Sequence, residues 1–262
     1  MNGDTYPRTA ANKVNRYKER ANYDVDFIHN LINTTPVVHI SFLADPSNPT
    51  PVILPMIGQI GTYEHDEEPH CYLHGYVSSR IMRLGSNAEA GLPISIAATK
   101  LDGLVLSLTP NSHSYNYRSA VLQGSATVVE DVNEKVWAMH LVTNGVVEQR
   151  WENTRTPPDN VEMQSTRILK VKIESASAKV REGGPGDDKK DTDRGDVVSK
   201  TWTGVVPVYE RLGAPIASNY NKVGKIPGYL KSFVDTQNEG AQRQANEAAM
   251  KVYGAGKKKA DD

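Results

Sequence analysis

Between Cys71 and Leu84 the chain reads Cys-Tyr-Leu-His-Gly-Tyr-Val-Ser-Ser-Arg-Ile-Met-Arg-Leu, an apolar strand pattern that stops at two serines and continues at helical spacing. Ser78, Ser79 and Arg80 at that junction suit a phosphate. Hydroxyls donate to its oxygens, a guanidinium pairs with its charge, and the N–H groups of a first helical turn point outward with no acceptor of their own. The same serines also suit the plainer task of capping a helix.

Other residues offer other chemistry. His65, Glu67, Glu68, His70, Cys71 and His74 form the densest run of possible metal ligands. On a strand His70 and His74 share a face and Cys71 takes the other, so a metal would need a loop carboxylate to complete three or four ligands. The competing reading is a solvated acidic loop beside a strand. Arg118 stands where a strand begins and calls for an anion or carboxylate partner. Trp202 follows a charged stretch and is either a core plug or an aromatic wall over a planar ligand. No Gly-x-Gly-x-x-Gly follows a strand, and neither a phosphate-loop lysine motif nor a Gly-x-Ser-x-Gly elbow occurs, which removes the usual support for dinucleotide, nucleoside triphosphate and serine-hydrolase sites.

The elements that must position these residues follow from periodicity and punctuation. Asp24 caps a helix with Phe27, Ile28, Leu31 and Ile32 on one face, and Pro36 closes it. Residues 37–42 and 52–57 read as a hairpin, with Pro55 marking an edge, a bulge or a kink toward a ligand. Residues 93–99 and 104–109 read as a second hairpin turning at Asp102-Gly103. A strand over 117–129 is interrupted by Gly124, which suggests a bulge. Asp131 and Glu134 open a helix that carries Trp137 and stops at Gly145. Further strands are expected over 166–173 and 202–208, a short helix after Pro227, and a weakly amphipathic helix over 235–253. Regularly spaced strands with few helices predict a mainly β antiparallel barrel.

The organisation read from this is an N-terminal arm (1–22), a barrel domain (23–234) with a mobile charged loop at 181–196, and a C-terminal helix with a charged tail (235–262). With 30 basic and 31 acidic residues the net charge is −1, so no global field points to nucleic acid or an anionic membrane. One cysteine excludes an intrachain disulfide. The polar N-terminus lacks an apolar signal core, and no apolar run reaches membrane-spanning length, so a cytoplasmic protein is expected.

Four segments, taken in order, resemble the pyridoxamine 5'-phosphate oxidase-like FMN-binding split barrels. Residues 73–84 are similar to the strand and turn that meet the FMN phosphate there, and Pro51-Val52-Ile53-Leu54-Pro55-Met56 to the strand along the flavin ring. Tyr117 to Gly124 and Trp202 to Pro207 resemble signatures of the branch that includes the Nim-type nitroimidazole reductases. The resemblance implies a homodimer with FMN at the subunit interface and a small-molecule substrate. It implies a phosphate held by Ser78, Ser79 and Arg80, with Arg118 or Ser119 as a second contact. The ring would lie on Ile53, Leu54, Pro55 and Met56, with His74 at its reactive edge as the catalytic candidate and Tyr117 and Trp202 nearby. The chain departs from the vitamin B6 oxidases at two places: a single base stands at the phosphate turn, and residues 208–213 lack their Arg-x-His motif. The expected function is FMN-dependent oxidoreduction of a molecule other than pyridoxamine phosphate. The alternatives are a non-catalytic FMN binder and a haem- or metal-binding split barrel.

Overall fold

The computed structural model describes residues 4–45, 47–64 and 66–252; His65 and the lysine-rich tail lie outside them. In chain order the elements are β1 (Ala21–Asn22), α1 (Val25–Asn33), β2 (Val38–Phe42), β3 (Val52–Met56), β4 (Gly58–Gly61), β5 (His70–Tyr76), α2 (Arg80–Asn87), β6 (Leu92–Leu106), β7 (Ser114–Val128), α3 (Val132–Val146), α4 (Asn160–Ser165), β8 (Thr166–Arg181), α5 (Lys189–Thr192), α6 (Gly195–Val198), β9 (Gly204–Pro207) and α7 (Gly228–Met250). The sheet runs β3-β2-β6-β7-β8-β5-β4, with β1 on β8 and β9 on β6, and it does not close. This is the mainly β split barrel expected from the sequence. No helix among the described residues is long and apolar enough to cross a membrane.

Local signals placed several elements well. Asp24 accepts from the Phe27 N–H at 2.7 Å and starts α1, whose Ile28, Leu31 and Ile32 are buried. β2 and β3 form the expected antiparallel hairpin. β3 ends the sheet path, so Pro55 sits on an edge strand, where its missing N–H leaves no ladder partner wanting. Asp131 caps α3 by accepting from the Glu134 N–H at 2.8 Å.

Other expectations need correction. Asp102-Gly103 is no turn, because β6 runs straight through it. The Asp102 carboxylate finds a partner in the folded chain and so need not seek water, while Gly103 lets β9 approach: a Cβ there would lie 2.8 Å from Val205 Cγ1. Gly124 permits another close approach, since a Cβ would collide with the Lys172 carbonyl oxygen of β8. β8 extends to Arg181, past the expected end at 173, and that arginine is buried rather than part of a mobile loop. The loop itself contains α5 and α6. The last strand is shorter than expected, and α7 is one continuous helix where two were read.

The chain divides into two compact units. The first comprises residues 1–16, 21–99 and 119–178, and the second residues 17–20, 100–118 and 179–262. In the first, Ile28 and Ile32 of α1, Ile40 of β2, Leu73 of β5, Met82 of α2 and Leu169 of β8 share one core. β5 alternates across it: Cys71 and Leu73 face this core, and Tyr72 faces a smaller one with Ala138 of α3 and Ile168 of β8. The arm read at 1–22 is tied into this unit by Asn12, which donates to the Ala176 carbonyl at 3.0 Å, and by Tyr6, whose hydroxyl lies 2.7 Å from His29 Nε2. In the second unit β9 pairs with residues 103–106 of β6, and Arg181 reaches Asn116 and the carbonyls of Gly183 and Gly184. The Gly183 N–H and Asn116 both donate to the Ala248 carbonyl near the end of α7, so this buried cluster anchors the helix.

Candidate functional site

The turn from β5 into α2 lies in the first unit. Ser79 is the N-cap of α2 with an extended backbone, yet its side chain makes no capping hydrogen bond. Its Oγ is buried without a partner. A buried hydroxyl left unpaired costs free energy that an arriving acceptor would recover. Ser78 and Arg80 on either side are exposed, and so is Arg83, one helical turn beyond Arg80. No second base stands next to Arg80 in the turn itself. Arg83 is a second cation on the same helix, three residues on from Arg80, a spacing that puts both on one side of it and is legible in the sequence.

β3 and the end of β5 stand beside this turn. Ile53 is 62% exposed and Pro55 is also exposed, whereas Leu54 and Met56 pack on the core. The four residues expected to form one slab therefore divide between two faces of β3, as strand alternation requires. Met56 does reach β5: a Cβ on Gly75 would lie 3.6 Å from Met56 Cε and would collide with Met82 Cε. Gly75 thus lets α2 and β3 close on the strand. His74 pairs with Ile168 across the sheet, on the face of Tyr72 rather than that of Leu73. Its side chain is exposed by area, yet burial of the ring among its neighbours holds it below the ordinary imidazole value.

The same face of β5 carries a network that the sequence reading did not assemble. Lys170 Nζ lies 2.6 Å from Asp66 Oδ1 and 2.8 Å from Glu134 Oε1. Tyr72 donates its hydroxyl to Glu134 at 2.8 Å, with Asp66 Oδ2 3.2 Å from the same oxygen as the alternative acceptor. Burial would raise the Asp66 carboxyl, but the Lys170 hydrogen bond and charge outweigh it and hold it below the ordinary range. Burial would lower Lys170, but its two carboxylate partners hold it above the ordinary value. His70 Nδ1 is buried 3.4 Å from Asp66 Oδ2; burial and then the Lys170 charge keep this ring below the ordinary imidazole value. Glu134 was expected to fold back onto its own helix start. It instead serves Lys170, and only the charge of Lys170 in a half-exposed strand hinted at that need. Among the described residues no three His, Cys, Asp or Glu side chains converge as a metal site. Cys71 is fully buried, which pushes its thiol up to about 12.

In the second unit Arg118 has the carboxylate partner its position called for. Its Nε and Nη2 donate to the two Asp102 oxygens at 2.8 and 2.7 Å, a bidentate pair. Burial and the Arg118 charge hold Lys100 below the ordinary lysine value against Glu210 and Asp102. Tyr117, before Arg118 on β7, is half-buried; Ser119, after it, is half-buried in the first unit. Trp202 is 65% exposed, so it plugs no core within this chain. Its ring lies over Gly204, where a Cβ would be 2.8 Å from the indole and where φ is +153°. Both facts require glycine there.

The family model for pyridoxamine 5'-phosphate oxidase matches residues 24–180. The chain is similar to the structure of the flavocytochrome Anf3 from Azotobacter vinelandii, with 26% identity, a TM-score of 0.72, and 86% of this chain and 97% of that one covered. It also shares a fold with the FAD- and haem-binding protein from Mycobacterium smegmatis, at 24% identity and a TM-score of 0.69, over 82% of this chain and 97% of that one. No curated protein matches it by sequence.

Proposed function

The chain belongs to the pyridoxamine 5'-phosphate oxidase family, and from that premise we propose that it is a flavin-dependent oxidoreductase. The observation that carries the reading is Ser79: a buried, unpartnered hydroxyl at the start of α2, flanked by Ser78 and Arg80, fits a phosphate ester. We assign Ser78, Ser79 and Arg80 to that phosphate, with Arg83 as the further cation and Ser119 as a second contact. Ile53 and Pro55 present an exposed apolar surface suited to a flat ring, and Met56 against Gly75 sets how near β3 lies to the turn. A flavin bound there would supply hydride and single-electron transfer. His74, kept neutral by its lowered pKa, is the proposed group at the reacting edge, able to hold or pass one proton. Tyr117 and Trp202 are proposed as further cofactor contacts on the resemblance alone, while Arg118, paired with Asp102, is left to the fold.

The flavin we propose is FMN, and the working form a cytoplasmic homodimer acting on a small organic molecule. Exposed Ile53 and Val121 support burial against another copy. A second reading, that haem is held as well, is favoured by the similarity to a flavocytochrome over nearly the whole of that chain. His39 and His74 are exposed, and their imidazoles would be available to ligate a haem iron. The visible spectrum of the purified protein, with chromatography of the released cofactor, tests all of this. A flavin spectrum with FMN released supports the first reading, an added Soret band supports the second, and a colourless protein that takes up no flavin overturns both.

A further inference from the structure

Between β9 and α7 the chain crosses residues 208–227 without a helix or strand. The first residues of this connection are fixed. The Val208 N–H donates to the Asp102 carbonyl at 3.1 Å, and Asn238 of α7 clamps Leu212 by accepting from its N–H at 2.7 Å and donating to its carbonyl at 3.0 Å. Past those anchors, up to the start of α7, the apolar side chains stand in solvent. Ile216 is 96% exposed and Tyr220 83%, with Val223 and Ile226 also more than half exposed. They recur every three or four residues, a density at odds with an ordinary polar surface loop. A connection this long, tied at its start, running into α7 at its end and carrying uncovered apolar groups, marks an interaction element.

We propose that this segment is an arm that docks on a second copy of the same chain, so that two copies exchange arms. The proposal rests on the homodimer reading above and names the element that builds the dimer. Residues 208–227 carry Arg211, Lys222 and Lys225 against the single acid Glu210, while the loop before β5 exposes Glu64, Glu67 and Glu68. A basic arm and an acidic loop on one chain are complementary in charge when two copies meet. An anionic membrane is the rival occupant, but the arm has neither Trp nor Phe and the chain's net charge is −1.

The test uses the full chain. Sedimentation velocity should give a dimer for the unchanged protein, and the double substitution Ile216→Asp, Tyr220→Asp should weaken that dimer at least about tenfold while circular dichroism stays the same. Because Cys71 is buried, Tyr220→Cys offers one accessible thiol for a benzophenone label, and illumination should give a product of twice the chain mass. A dimer untouched by the double substitution, with no covalent pair, overturns the arm and leaves the dimer standing. A monomeric unchanged protein overturns the dimer reading and the arm with it. Binding to anionic vesicles that the double substitution abolishes assigns the arm to a membrane and overturns the proposal.

Discussion

Ser79 with Arg80, and Asp102 with Arg118, are two places where a small polar or acidic residue stands with an arginine. In the first, a hydroxyl is buried with no partner and a guanidinium stands in solvent. In the second, a nearly buried carboxylate is gripped at both oxygens by its arginine. Arg80 and Arg118 both drew attention in the sequence as residues that would meet an anion. The structure separates them: a group whose hydrogen bonds are already made inside the chain is holding the fold, and one left wanting is available to a ligand.

Breaking the second pair should have the largest effect. Asp102→Ala leaves Arg118 without its carboxylate, and chemical denaturation should show a loss of about 3 kcal/mol, the lower end for a disrupted buried pair because Arg118 keeps some contact with water. A loss under about 0.5 kcal/mol, the size of an ordinary surface substitution, would show that the pair does not hold the fold. Arg80→Ala should reverse the pattern. Removing a charge-assisted phosphate contact should weaken flavin binding by about 2 kcal/mol while folding stability changes by less than about 0.5 kcal/mol. Equal flavin affinity in equilibrium titrations of the variant and the parent would remove Arg80 from the site.

That contrast also explains what could be read from the sequence. Helices α1 and α3 were legible because their caps, Asp24 and Asp131, act on N–H groups three residues away. The hairpin of β2 and β3 was legible from β-branched runs around a turn. Asp102 misled because its partner lies sixteen residues onward, and an aspartate before a glycine with no visible partner reads as a turn. Arg181 misled in the same way: a basic residue opening a charged, glycine-rich stretch looks solvated until Asn116 and two carbonyls are brought to it. At the candidate site the residue types were legible, but the unpartnered state of Ser79 was not, because it depends on how α2 is seated over β5.

A smaller effect should appear on acidification. His29, His70 and His74 all have folded values below the ordinary 6.5, each mainly through burial, so the unfolded chain takes up their protons first. Stability is therefore lost as pH falls below 6.5 toward the lower folded values. Asp66 adds to this further down, since a depressed carboxyl contributes above its unfolded value and loses that contribution as pH falls through the folded one. Scanning calorimetry from neutral to mildly acidic buffer should show the unfolding midpoint falling, and His70→Gln should flatten the fall. An unchanged slope in that variant would mean that His70 takes its proton equally well folded and unfolded.

The finest test concerns Ser79 alone. Replacing a serine N-cap by alanine ordinarily costs a helix about 1 kcal/mol, because a bond to the first turn is lost. Here no such bond exists, and the hydroxyl is buried without a partner. Ser79→Ala should therefore leave the flavin-free protein as stable as before or slightly more so, since the substitution removes an unsatisfied group. The flavin-bound protein should lose about 1 kcal/mol of cofactor affinity, the net worth of one hydrogen bond. Thermal unfolding with and without added flavin measures both. A flavin-free protein destabilised by the full cost of a lost cap would mean that the hydroxyl caps α2 after all, and Ser79 would then belong with Asp102 among the residues that hold the fold.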